Sequence, residues 1–315
     1  MTIASGIGGQ WGFGVESPIG TRATPTVFLE FTKESLKLNR PRKTSQAIRA
    51  NRLTARRAYQ LAQWVDGDVE FELAPQSIGK LLKHTMGSVS TSGAGPYTHT
   101  YTHGALDALG LTFQFNRPDS SATDRPFDYI GLQVTKLALA ANVDDIVMAT
   151  VSVYGQHEDT AQSLASASYP SSWTPFTFLH GVLQLAASEV AVKSVSVEVD
   201  TGLQTGRHFL RSSSPQKPKP SISAHTRDIG GTIVCDFESL TAYNRFVNQT
   251  AAALSLVFTS GTNVLTITGN IEFDGETPNI QSEDMLEQRL PWKALHATSD
   301  TSAFQMVLTN SDSTP

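Results

Sequence analysis

Gly67-Asp68-Val69-Glu70-Phe71-Glu72-Leu73 alternates acidic and apolar residues without a break. Successive side chains of a strand point to opposite faces, so this run predicts a strand with one acidic face (Asp68, Glu70, Glu72) and one apolar face (Val69, Phe71, Leu73). A helical pattern follows from Ile78 to His84, with Ile78, Leu81 and Leu82 on one side. The same succession recurs 164 residues later. There Gly231-Thr232-Ile233-Val234-Cys235-Asp236-Phe237 precedes a second helical stretch, Leu240 to Asn248, in which Leu240, Tyr243, Phe246 and Val247 share a face.

Outward from these two runs the order of parts also matches. The first is preceded by a strand signal around Val27 to Leu38 and a long arm to Gln63; the second by a strand at Val192 to Val199 and an arm from Thr205 to Arg227. Downstream, Leu111 to Phe115 parallels Leu254 to Phe258, and Leu132 to Leu139 parallels Leu265 to Phe273. An extra stretch in the first copy, Ser88 to Ala108, accounts for the fall in offset to 143. Further strand signals fall at Ile146 to Tyr154, Phe176 to Leu185 and Phe304 to Leu308. The identities between copies are few, so convergence on a generic β pattern competes with duplication. The expected fold is all-β with minor helix: two tandem β-sandwich or barrel domains, each with a short flanking helix. The boundaries are an N-terminal arm at 1–23, a first domain at 24–156, a linker or crossover at 157–175 containing Pro170, a second domain at 176–310, and a flexible C-terminus at 311–315. The 315 residues suit two domains, because single cores stop growing near ~250 residues.

Composition narrows the function. Charged residues are 17% of the chain and net charge is −5, which argues against bulk nucleic-acid binding. No apolar run approaches the roughly 18–20 residues of a membrane helix, and Met1 to Gly14 lacks the basic start and apolar stretch of a secretory signal, so a cytoplasmic site of synthesis is expected. Cys235 is the single cysteine and sits in an apolar strand pattern, the setting of a buried structural thiol. Catalytic motifs are lacking. Gly6-Ile7-Gly8-Gly9-Gln10-Trp11-Gly12-Phe13-Gly14 has neither the spacing of a phosphate loop nor a preceding strand, and reads as a mobile terminus. His99 and His103 are four apart in a strand-like run, hence ~13 Å apart at ~3.3 Å per residue, too far to share a metal. Neither a Gly-x-Ser-x-Gly elbow nor a His-Glu-x-x-His motif occurs. Asp144-Asp145 and Glu283-Asp284 are adjacent acids that point apart, as in solvated turns. No catalytic, cofactor-binding or metal-ligating residue is assigned, and the chain is expected not to be an enzyme.

Charge is nevertheless placed unevenly. The first arm carries Arg40, Arg42, Lys43, Arg49, Arg52, Arg56 and Arg57 without an acid between them, and the second carries Arg207, Arg211, Lys217 and Lys219. Solvated loops, DNA binding and protein contact all remain open for them; arms of this length without clear secondary structure tend to order on a partner. The acids alternate on strands: Asp68, Glu70 and Glu72, then Glu198 with Asp200, and Glu272 with Asp274. These fit an ordinary solvated face, or a wall that faces a passing polyanion without holding it.

The run Gly8 to Thr21, with Phe28-Leu29-Glu30-Phe31-Thr32-Lys33-Glu34-Ser35-Leu36-Lys37-Leu38-Asn39-Arg40-Pro41-Arg42, resembles the start of the tail tube (major tail) proteins of long, non-contractile-tailed bacteriophages. Leu240 to Asn248, Phe273 to Asn279 and Leu290 to Leu295 extend the resemblance over nearly the whole chain. It implies a virion structural protein whose tail-tube-like domains join edge to edge into rings, stacked into a hollow tube for double-stranded DNA. With two domains per chain, three chains would complete a pseudo-six-fold ring; a homohexamer is the alternative. It further implies a tape-measure protein in the lumen during assembly, terminator and tail-tip proteins at the ends, no membrane, no cofactor, and a place in the virion tail after assembly in the host cytoplasm. The acids would then be candidate lumen residues and the arms candidate inter-ring contacts. A tail terminator, a capsid decoration protein and a secretion-tube ring protein are the competing structural classes; a carbohydrate-active β-barrel using Glu70 and Glu72 is the enzymatic one.

Overall fold

The computed structural model describes residues 5–48, 57–121, 123–171, 173–211, 213–214, 216–275, 280, 285–295 and 304–315. The first half supplies β1 (Gln10–Glu16), β2 (Val27–Leu29), β3 (Lys33–Glu34), β4 (Lys37–Asn39), β5 (Arg42–Thr44), β6 (Ala58–Gln60), β7 (Trp64–Glu72), α1 (Gly79–Met86), β8 (Gly87–Ser92), β9 (Tyr97–His103), β10 (Gly110–Asn116), β11 (Pro126–Asn142), β12 (Met148–Gly155) and β13 (His157–Asp159). The second supplies β14 (Gly181–Leu185), β15 (Ser188–Glu189), β16 (Ser194–Asp200), β17 (Leu203–Gln204), β18 (Ile222–Ser223), β19 (Asp228–Asp236), α2 (Thr241–Val247), β20 (Ala252–Ser260), β21 (Asn263–Phe273), β22 (Glu287–Ala294) and β23 (Phe304–Asn310). The fold is all-β with minor helix, and both helices fall where the apolar spacing sets them.

Strand pairing, antiparallel throughout, repeats from half to half. The first half runs β2–β1–β10–β11–β12–β7, with β3 and β4 end to end on the far edge of β7. The second runs β15–β14–β20–β21–β22–β19–β16. Even the short β13, which pairs with β11, has its counterpart in β23 on β21. An atomic detail repeats as well. Asp68 N donates to Ser35 Oγ at 2.9 Å, and Thr232 N donates to Ser196 Oγ at 3.0 Å. Beside each serine lies a glycine, Gly67 or Gly231, whose missing Cβ would stand 2.7 Å from the Ser35 carbonyl or 1.9 Å from that of Ser196.

The halves are joined through β11. Its first part pairs with β10; after a bulge between Val134 and Lys136 its second part, Lys136 to Asn142, pairs with β16 of the second half. One sheet therefore runs without interruption through β3/β4–β7–β12–β11–β16–β19–β22–β21. Its apolar side packs against the outer strands. Trp11 on β1 lies 5.5 Å from Phe71 on β7 and stacks on Phe115 of β10 at 5.9 Å, while Phe176 meets Phe258 at 5.9 Å in the second half.

Four features depart from the sequence reading or narrow it. The glycine-rich run is a core strand, β1, not a mobile terminus: Trp11 and Phe13 are fully buried, and Gly12 makes room for the Phe28 ring. Of the two readings of 157–175, linker or structured crossover, the ordered contacts favour the second: the stretch opens with β13, and Gln114 binds its middle, accepting from Ala165 N at 2.8 Å. Asp312, in the stretch expected to be a flexible end, accepts from Ser77 N at 2.8 Å and contacts His99 Nε2 through its carbonyl at 2.9 Å. Finally, the extra stretch of the first half forms the hairpin β8–β9, which pairs with β23 and so extends the second half's sheet. This hairpin packs over α1, whose Leu81, Leu82 and Met86 are buried; α2 buries no residue completely.

Candidate functional site

Direct cross-strand partners share a sheet face. On the continuous sheet one row of partners runs Lys33, Glu70, Thr150, Ala138, Glu198, Gly230, Lys293, Glu272. The neighbouring row runs Asp68, Ser152, Lys136, Asp200, Asp228. Glu72, one alternation from Glu70, lies on the same face opposite Met148, and Asp274 follows Glu272 by two residues, its N–H donating to the Pro291 carbonyl at 2.8 Å. All seven acids singled out in the sequence thus stand on one face that spans both halves. Its reverse is the core, where Val65, Val69 and Phe71 alternate with them on β7.

The face also carries acids that sequence reasoning missed. Asp66 accepts from Trp64 Nε1 at 2.8 Å and from Asn39 Nδ2 at 2.9 Å; Asp228, Asp236 and Glu287 belong to β19 and β22. Asp66 was findable as one more step of the alternation before Asp68. Glu287 was hidden because Pro291 interrupts the strand signal of β22. Bases offset part of the charge: Lys136 pairs with Glu198 at 2.6 Å, Lys293 with Asp228 at 3.7 Å, and Lys193 with both Asp236 and Glu287 at 2.7 Å. Those two carboxylates hold the Lys193 ammonium above its usual range. Asp68, Glu70, Glu72, Glu272 and Asp274 form no ion pair among the described residues. Carboxylates spread along strands ~4.8 Å apart do not converge on a substrate atom.

The two arms differ. In the first, Arg42 and Lys43 lie on the exposed hairpin β5–β6, with Arg40 and Arg57 flanking it; Arg49, Arg52 and Arg56 lie outside the described residues. The second arm leaves β16 through the β17–β18 ladder and packs on the first half. Ser221 N donates to Gln133 Oε1 at 2.6 Å, Ser223 N to Asp107 Oδ1 at 2.7 Å, and Gln63 N to the Gln216 carbonyl at 2.8 Å. Its bases are tied to the arm itself. Arg207 donates to the Pro220 carbonyl at 2.7 Å, Arg211 to that of Lys217 at 2.8 Å, and Arg207 and Lys219 both lie over the Phe209 ring. Among the described residues no hydrogen bond or ion pair joins a basic residue of one arm to the other arm.

The histidine and cysteine positions are structural. His99, fully buried, contacts Thr91 Oγ1 at 2.8 Å as well as Asp312. Cys235 is buried on the core side of β19, and burial pushes its thiol up. Among the described residues no group of His, Cys, Asp and Glu is arranged to hold a metal, and no helix is long and apolar enough to cross a membrane.

No curated protein matches this chain. A family model described as phage tail tube protein matches residues 6–294.

Proposed function

The chain belongs to the phage tail tube protein family, and from that premise we propose that it polymerises as stacked rings into a hollow tube through which double-stranded DNA passes. The acidic sheet face lines the lumen. The observation that carries this reading is the continuity of that face: acids from β7, β16 and β21 fall into shared cross-strand rows across both halves. Acids outnumber bases on this wall, so its net field repels phosphates and DNA slides along it without being held.

The repeated strand order supports two tail-tube-like domains per chain. Three chains then give a ring that is six-fold in outline and three-fold in detail, because β8–β9 belongs to one half only. In this reading the tail is long and non-contractile, the tape-measure protein fills the lumen during assembly in the host cytoplasm, and terminator and tail-tip proteins close the ends. The role is structural, without catalysis. Negative-stain images of the purified protein test it: long tubes with six-lobed end views are expected. Discrete rings would move the chain to a terminator or secretion-ring role, and monomers or isolated trimers to a decoration role.

A further inference from the structure

Pairing fixes which residues of the two halves correspond. Trp11 lies opposite Phe115 on one side and Leu29 on the other. Leu183 lies opposite Leu256, and on its other side its carbonyl accepts from Val190 N at 3.0 Å. Trp11, Phe115 and Leu29 therefore correspond to Leu183, Leu256 and Val190. Two residues beyond Leu29, Phe31 corresponds to Val192; two before Trp11, Gly9 corresponds to Gly181.

In the first half, rings fill this end of the core. Trp11 stacks on Phe115 at 5.9 Å, and the Phe31 ring meets Phe115 edge-on at 5.5 Å. Phe31 lies so close over Gly9 that a Cβ there would stand 3.2 Å from it. In the second half the same positions hold two leucines, a valine and a glycine. The space is left as a recess of about 250 Å³ lined by Gly181, Leu183, Val192 and Leu256, with Phe178 and Phe258 along its wall. Its mouth is apolar, formed by the exposed Val143 and Val182. Three exposed acids stand beside it. Glu189 lines the recess, Asp145 accepts from Phe178 N through its carbonyl at 3.1 Å, and Asp144 lies between Asp145 and Val143. None of the three forms an ion pair among the described residues, whereas Lys193, which also lines the recess, is held by Asp236 and Glu287 at 2.7 Å.

We propose that this recess receives an aromatic side chain from a basic segment of another protein. A ring is the fitting occupant because a ring, Phe31, completes the same end of the first half. Room is sufficient: an apolar cavity of roughly 150 Å³ binds benzene, and this one holds about 250 Å³. An aromatic anchor seated in a pocket and surrounded by apolar contacts is the usual energetic centre of a protein interface. The partner is basic because the uncommitted charge at the mouth is acidic, which draws in Lys and Arg beside the ring and turns acidic segments away. The first half has the same place already filled by its own side chain, so the substitution of valine for phenylalanine makes the second half the receiver.

Methyl resonances of the full-length protein, titrated with the peptide acetyl-Lys-Arg-Phe-Lys-Arg-amide, provide the test. Saturable shifts at Leu183, Val192 and Leu256 are expected; shifts elsewhere, or none, overturn the site. Val192→Phe supplies the ring from within the chain, as Phe31 does, and should weaken the peptide about tenfold. Undiminished binding to that variant overturns the proposal, and the methyl map of the native chain decides even where the variant does not fold. Asp144→Asn, Asp145→Asn and Glu189→Gln combined should weaken the peptide about tenfold at low salt and far less at high salt. A peptide with alanine for phenylalanine that binds equally well reduces the contact to charge and overturns the ring. Toluene shifting the same methyl groups where the peptide does not would make the recess a small-molecule site and overturn the partner. Thiol labelling of Val192→Cys in a Cys235→Ser chain should be unchanged when the pure protein assembles. Its loss makes a second copy the occupant and equally overturns the proposal.

Discussion

Gly67 and Gly231 hold equivalent places against Ser35 and Ser196, and neither has room for a methyl group. Gly67 also has φ +150, where an L side chain is strained. Gly67→Ala and Gly231→Ala should each destabilise by about 1–3 kcal/mol by prising the strand that carries the serine from its neighbour, measurable as a lowered urea midpoint. His84 makes a different claim on stability. It is 2% exposed, and its Nδ1 contacts the Lys80 carbonyl at 2.6 Å. Burial first, then the nearby Lys83, lower its pKa to about 4. Below pH 6.5 the unfolded chain takes up a proton that the folded chain refuses until about pH 4. Stability is therefore lost as pH falls through that window, by about 1.4 kcal/mol per unit for one such group. Urea midpoints at pH 7 and pH 5 should show the slope, and His84→Leu should reduce it without abolishing it, because burial lowers His157 to about 4 as well; an unchanged slope would acquit His84.

At the scale of elements, Arg117 ties the end of β10 to the edge strand. It donates to both Glu34 oxygens at 2.9 and 3.0 Å, to the Leu36 carbonyl at 3.1 Å, and to Tyr129 Oη at 2.7 Å. Arg117→Ala should cost about 1–3 kcal/mol through the unpaired partners it leaves, measurable by calorimetry. The strands and helices that sequence made legible are those with local rhythm. The alternation of Asp68 to Leu73 gave β7, and the spacing of Ile78, Leu81 and Leu82 gave α1. The acidic face was half legible, because alternation assigns residues to a face of their own strand and says nothing of which strand lies beside it. β1 was hidden by its glycines, which fit only because Phe28 lies over Gly12. β22 was hidden by Pro291, and the partner of β8–β9 lies some two hundred residues away in β23, beyond any local signal.

For the whole molecule, the acidic face predicts indifference to DNA. Asp68→Lys, Glu70→Lys and Glu72→Lys combined should leave the subunit folded, since these side chains lie on the face away from the core. The variant should nevertheless retain double-stranded DNA in a filter assay at low salt and release it as salt rises, where the native chain retains none. Equal retention by both would remove repulsion as the function of this face.

The ladder between β11 and β16 bears on how a tail bends. That joint sits inside one chain, flanked on both sides by further paired strands and roofed by the second arm. A joint between chains has no covalent tie across it. A flexing tube built from such rings would take up curvature at every second joint, so its compliance would follow three soft seams rather than six equal ones.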